Sequence, residues 1–178
     1  RRVRLVTRAY LDHASTSPLR PAAREAMVRA LTELTGDPGR IHEEGMAARV
    51  ALEQAREQVA ALLGARSREV VFTSGATESI AAAVFGAADR AAGKALADAE
   101  GRTHQVVTAV EHSAVRFSAE RAGSVTVVPV DRHGRVDADE VLAAITPATA
   151  AVHVQWGNHE VGTLQPVEAV VAGCRERG

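Results

Sequence analysis

The sequence predicts an α/β domain built on a mostly parallel sheet flanked by helices. Four short apolar runs, Glu69–Thr73, Gln105–Val110, Ser124–Val130 and Thr149–Gln155, alternate with stretches of helical periodicity. Three of these runs lead into polar clusters, Thr73–Ser79, Glu111–Ser113 and Trp156–Gly162. Ligands of open α/β sheets gather beyond the carboxyl ends of strands, so three such clusters on one sheet edge favour a site there. Hydrophobic residues make up 46% of the 178 positions and aromatics 3%. A globular core assembled from Ala, Val and Leu is therefore expected, and disorder is not.

Taken in order, Ala9-Tyr10-Leu11 is a short extended lead-in, and His13 to Pro18 is a turn-rich loop. Pro21 to Leu34 reads as a helix with proline in its first turn. A Gly/Pro loop, Thr35 to His42, precedes the clearest helix, Gly45 to Leu63. Its Ala51, Ala55, Val59, Leu62 and Leu63 recur on one face at 3.6 spacing, and Gly64 can close it. Helices are then expected at Thr77–Ala92, Ser113–Ala122, Asp137–Ile145 and Val167–Arg177, with Asp137 and Glu140 as a capping-box variant. Gly93–Arg102 reads as a polar, Ala-rich surface connection. The expected organisation is a lead-in segment, 1–20, before a partial α/β domain, 21–178. The last helix reaches Arg175-Glu176-Arg177-Gly178 with no strand after it. An α/β sheet calls for another strand there, so the domain is expected to be incomplete.

Composition narrows the function classes. The formal charge is −1 and basic residues are twenty Arg and one Lys, Lys94. No polyanion-binding excess results, so no nucleic-acid partner is expected. No apolar run reaches the roughly 18 residues that cross a bilayer. Arg1 to Arg8 is basic but lacks a following apolar stretch, unlike a secretory signal. The lone Cys174 permits no internal disulfide and fits a reducing, cytoplasmic setting.

Thr73-Ser74-Gly75-Ala76-Thr77-Glu78-Ser79 joins an apolar run to a small-residue helix. Such a turn aims free backbone N–H groups and hydroxyls at one point, which suits a phosphate. It reads equally as a tight turn capped by Ser74 or Thr77. It is neither a Walker loop, since no Gly-Lys-Ser/Thr follows, nor a three-glycine dinucleotide fingerprint. His112, at the end of a strand, can stack on an aromatic ring and exchange protons near neutral pH, or simply cap a helix. Asn158 and His159 offer amide and imidazole donors, or form a polar turn. His13, His42, His104, His133 and His153 have no metal-ligand spacing, and Cys174 reads as helix packing.

The motifs occur in a recognisable order. Tyr10-Leu11-Asp12-His13-Ala14-Ser15-Thr16-Ser17-Pro18, Asp37-Pro38 with Ile41-His42, Val71-Phe72 and the Thr73–Ser79 run come first. Glu111-His112-Ser113-Ala114-Val115 and Asn158-His159-Glu160-Val161-Gly162 follow. From about Ala9 to Gly178 the chain resembles class V, fold-type I pyridoxal-phosphate enzymes, above all cysteine desulfurases of the iron–sulfur-assembly type. The Thr73–Ser79 run is the most specific match.

The resemblance implies the N-terminal half of a fold-type I large domain with pyridoxal 5'-phosphate as cofactor. It implies that Ala76 and Thr77 bind the cofactor phosphate through backbone N–H groups and a hydroxyl. His112 would stack on the pyridine ring and move protons. The Asn158-His159 pair would contact the phenolic oxygen and the substrate carboxylate side. The family commonly carries two Asn at this pair; here the second position is His159. The Schiff-base Lys, the Asp that pairs with the pyridine nitrogen and the sulfur-accepting Cys have no counterpart in the sequence; neither Lys94 nor Cys174 matches them. The implied partners are a C-terminal half supplying those groups, a second copy forming a homodimer, and a sulfur-acceptor protein. The implied reaction converts L-cysteine to L-alanine and an enzyme persulfide, and the chain alone is expected to be inactive. Another class V enzyme (an aminotransferase, a selenocysteine lyase or an epimerase) and a non-catalytic half-fold scaffold are the alternatives.

Overall fold

A computed structural model of the chain describes residues 9–93 and 103–177. The readings placed on Arg1–Arg8, on Lys94 and the connection that holds it, and on Gly178 lie outside the described residues. The chain forms two compact units, Arg1–Phe72 and Thr73–Gly178. The division falls after Phe72, later than the boundary expected at residue 20.

In the first unit, α1 (Pro21–Glu33) starts on its proline and buries none of its residues. The second helix, α2 (Glu43–Leu63), begins two residues before the expected start, because His42 caps it by accepting the N–H of Gly45. Gly64, left-handed at φ 64°, closes it as expected. The buried positions of α2 are Gly45, Ala48 and Ala60, not the Ala51–Leu63 face; Leu62 and Leu63 are 85% and 68% exposed. Backbone packing explains the difference. The Asp37–Arg40 loop lies so close to Gly45 that a Cβ there would sit 2.7 Å from the Arg40 carbonyl oxygen.

The expected strand Glu69–Thr73 is absent. Ser67–Glu69 forms a 3-10 turn, and Val70 is extended but hydrogen-bonds to no strand among the described residues. Its carbonyl oxygen instead accepts a 2.6 Å bond from Arg56, whose guanidinium lies 5.1 Å from the Phe72 ring centroid. An apolar extended run becomes a strand only when a neighbour supplies the ladder.

The second unit carries the sheet. Its elements are α3 (Ala76–Gly93), β1 (Thr103–Thr108), α4 (Ser113–Ala122), β2 (Gly123–Val128), α5 (Ala138–Ala143), β3 (Thr149–His153) and α6 (Val167–Arg177). The sheet is parallel with strand order β2-β1-β3. Central β1 is buried at all six positions, as a parallel strand covered on both faces should be. Val106 and Val128 form one core cluster with Val136, Val141 and Val170, so α5 and α6 cover that face. On the other face lie α3 and α4, and the Thr103 hydroxyl donates to the Ala122 carbonyl at the end of α4. Gly123 makes the direct passage from α4 to β2 possible, since a Cβ there would fall 1.7 Å from the Thr103 carbonyl oxygen.

The buried apolar side chains among the described residues are Ala and Val, without the expected Leu. Close helix approach explains this: Leu142 of α5 lies over Gly173 of α6, with no room between them for a Cβ. The first two strands start and stop about two residues before the expected spans, and β3 stops two residues short. Asp137 caps α5 by accepting the N–H of Asp139 rather than by a reciprocal bond with Glu140.

Candidate functional site at the carboxyl edge of the sheet

Topology locates the site before any side chain does. From β1 the chain crosses through α4 to β2 on one side, then returns through α5 to β3 on the other side of β1. Parallel crossovers are right-handed, so opposite lateral directions put α4 and α5 on opposite faces. After β1 the chain leaves toward the α4 face, and after β3 it leaves toward the α6 face. The carboxyl ends of β1 and β3 therefore splay apart and leave a crevice, the position where open α/β sheets bind ligands.

Two predicted residues meet at this crevice. His112 ends the loop after β1, His159 lies in the loop after β3, and their ring centroids are 6.2 Å apart at an interplanar angle of 52°. Both side chains are exposed. His112 is also the N-cap of α4: its Nδ1 accepts the N–H of Ala114 at 3.1 Å. That bond needs a lone pair on Nδ1, so the neutral ring carries its proton on Nε2, which is left as a donor.

Asn158 behaves differently from its neighbour. It is 9% exposed, and its Oδ1 accepts the N–H groups of both Glu160 and Val161 at 2.9 Å. Its backbone bonds to Thr163 and Gly162 complete a tight loop, with Gly162 left-handed at φ 74°. Asn158 thus builds the turn that presents His159. It also borders a cleft of about 400 Å³ shared with Arg132, His133 and Val161.

The Thr73–Ser79 turn is built by its own side chains. Glu78 accepts from both the N–H and the hydroxyl of Ser74, each at 2.6 Å. Those two bonds hold its carboxyl below the ordinary Glu range. Thr73 and Ser79 share a 2.7 Å hydroxyl bond. Neither Ser74 nor Thr77 is a simple cap, contrary to one sequence reading. The N–H groups of Ala76 and Thr77, and the Thr77 hydroxyl, have no acceptor or donor partner among the described residues. They are exposed at the positive end of an 18-residue helix dipole. No hydrogen bond joins this turn to His112, Asn158 or His159 among the described residues.

Two contributing residues went unassigned by sequence reasoning. Glu111 and Gln155 cross-bond the loops after β1 and β3: Glu111 Oε1 accepts from the Gln155 N–H at 2.6 Å, and Gln155 Nε2 donates to the Val110 carbonyl. A polar residue ending each of two apolar runs was the available signal.

Comparison with known proteins agrees with this architecture. A cysteine desulfurase IscS of Dictyoglomus turgidum is 39% identical over 171 residues, which cover 94% of this chain and 42% of that protein. The putative cysteine desulfurase IscS 1 of Bacillus subtilis is 38% identical, covering 92% and 42%. The chain therefore spans about two fifths of the length of the curated relatives it matches. Among solved structures, a NifS-like protein superposes with a TM-score of 0.82 at 31% identity, over 97% of this chain and 46% of that one. A structure described as SspA in complex with cysteine gives 0.81 at 31% identity, over 94% and 48%. Residues 9–178 match the class-V aminotransferase family, and the chain belongs to it.

Proposed function

We propose that this chain is the cofactor-cradling part of a pyridoxal 5'-phosphate-dependent cysteine desulfurase-like enzyme. The observation that carries the reading is the crevice between β1 and β3, where the exposed rings of His112 and His159 face each other at 6.2 Å. The residues present fit the cofactor. A phosphate needs N–H donors without internal partners, and Ala76 and Thr77 offer them at a helix start. An aromatic ring needs an exposed flat partner, and the imidazole of His112 is exposed and fixed by its bond to Ala114.

When bound, the cofactor supplies an electron-withdrawing ring that stabilises negative charge on the substrate α-carbon. The chain's own residues do the rest that this unit can do. Ala76 and Thr77 bind the phosphate, with the Thr77 hydroxyl as a further donor. His112 holds the ring's position and offers its Nε2–H as a hydrogen-bond donor. His159 presents a donor at the position where the family commonly has Asn, while Asn158 keeps that loop folded. The binding of cysteine by one structural relative supports cysteine as substrate.

Reactive groups would come from polypeptide beyond this chain: a lysine, an aspartate for the pyridine nitrogen, and a sulfur-accepting cysteine. Unpartnered surface in each unit supports a larger assembly, in keeping with a homodimer of the complete enzyme. Leu62 and Leu63 are exposed in the first unit. In the second, β3 has a strand neighbour on one side alone among the described residues and borders an apolar groove of about 600 Å³ lined by Ile145, Val152, Val154, Val167 and Val171.

The test compares this chain alone with the chain joined to a complete desulfurase C-terminal part. The joined protein should convert L-cysteine to L-alanine and persulfide sulfur. The chain alone should bind pyridoxal 5'-phosphate weakly and release no alanine. A joined, folded protein that binds the cofactor yet acts only on other amino acids would overturn the substrate assignment.

A further inference from the structure

We propose that Glu111 and Gln155 form a clamp that sets His112 opposite His159, with Glu111 as a positioning residue for the imidazole pair. The inference deepens the functional reading above, on which it rests for what the pair acts upon; the clamp geometry stands independently of any ligand.

Backbone pairing between β1 and β3 runs from His104–Thr149 to Val107–His153 and stops there. Beyond it the chains must diverge toward opposite faces. At that point side chains replace the ladder. Glu111 Oε1 accepts the backbone N–H of Gln155 at 2.6 Å and the hydroxyl of Thr108, the last residue of β1, at 3.0 Å. The Gln155 carboxamide returns a bond to the Val110 carbonyl. Each loop therefore gives one side chain to the other loop's backbone. The arrangement is half-buried, where such bonds exchange slowly with water and are costly to leave unmade.

His112 follows Glu111 directly, and His159 lies four residues after Gln155. A shift of either loop by an ångström alters the relation of the two rings, and no β1–β3 backbone pairing past Val107–His153 holds the loops to each other. The chemistry required of position 111 is an acceptor with the reach of a carboxylate. Negative charge is not required, because both of its partners are neutral donors.

The test uses the protein that carries this chain, with labelled histidine. Wild type should show a nuclear Overhauser cross-peak between the His112 and His159 ring protons without any cofactor. Glu111→Ala should abolish the cross-peak and weaken pyridoxal 5'-phosphate binding, read by induced circular dichroism, by on the order of tenfold to a hundredfold. Glu111→Gln should restore both, since its amide oxygen can accept the same two bonds. Should Glu111→Ala fail to fold, Thr108→Val removes the hydroxyl that orients Glu111 but leaves the Gln155 bond, and should weaken the cross-peak in a protein that still folds. An unchanged cross-peak in Glu111→Ala or in Thr108→Val overturns the clamp, as does a Gln variant that behaves like Ala. A Glu111-dependent cross-peak in a protein that binds no pyridoxal 5'-phosphate supports the clamp and overturns the functional reading instead.

Discussion

The imidazoles of His112 and His159 face one another across the crevice between β1 and β3, 6.2 Å apart and tilted by 52°. They come from loops 47 positions apart in sequence, and one strand reversal in the sheet order brings them together. His112 does two jobs: its Nδ1 caps α4 through Ala114, and its exposed ring lies opposite His159. These jobs can be separated by mutation.

Asn is a favoured N-cap but lacks an imidazole ring. His112→Asn should therefore keep the unfolding midpoint near wild type while reducing affinity for pyridoxal 5'-phosphate. His112→Ala should lose both, with a stability cost of about 1 kcal/mol. Thermal unfolding and fluorescence titration with the cofactor read the two effects independently. Equal cofactor affinity in wild type and both variants would remove His112 from the site.

Asn158 is expected to matter through its turn. Its carbonyl oxygen holds the N–H groups of Glu160 and Val161, and losing both bonds should cost about 1–3 kcal/mol. Asn158→Ala should show that loss in denaturant unfolding, whereas Asn158→Asp keeps the acceptor and should lie near wild type. An Asp variant as unstable as Ala would show that the amide nitrogen carries the role.

Gly123→Ala tests the junction between α4 and β2. The added Cβ would fall 1.7 Å from the Thr103 carbonyl oxygen, a backbone atom that cannot rotate away. The expected result is a loss of at least about 3 kcal/mol, seen as reduced soluble yield and a lowered unfolding midpoint. A variant as stable as wild type would mean that β1 and β2 are not paired as described.

A buried and a half-buried histidine set a pH dependence. His104 bridges Thr149 and Thr126, and His153 bonds to the fully buried Gln105. Burial pushes both below the ordinary histidine value. A folded pKa below the unfolded one, about 6.5, means that the unfolded chain binds more protons in the window between them. Their contribution is thus fully present above about pH 6.5 and is lost as pH falls toward the folded values. Unfolding midpoints should fall on acidification through that window, and His104→Asn with His153→Asn together should flatten the slope.

Local signals in the sequence were sufficient for the helices and for the three paired strands. Ser113–Ala122 and Val167–Arg177 form as their periodicity and flanking residues indicate. What escaped was anything decided by a distant neighbour. Val70–Phe72 has strand chemistry but finds Arg56 in place of a ladder. The Leu62–Leu63 face of α2 has helical spacing but no packing partner among the described residues. The site shows the same division. The Thr73–Ser79 turn and His112 were recognisable as residue types in order. The polar-turn reading of Asn158 was likewise local, since its bonds stay within residues 158–163. The cross-bonding of Glu111 with Gln155 depends on pairing β1 with β3, which no local pattern encodes.

The central claim is that the start of α3 and the crevice at β1 and β3 hold one pyridoxal 5'-phosphate between them. Its most direct test is a crystal structure of the complete protein grown with that cofactor. The phosphate should lie within hydrogen-bond distance of the Ala76 and Thr77 N–H groups, with the ring against His112. A phosphate bound elsewhere, or a ring with no contact to His112, would contradict it.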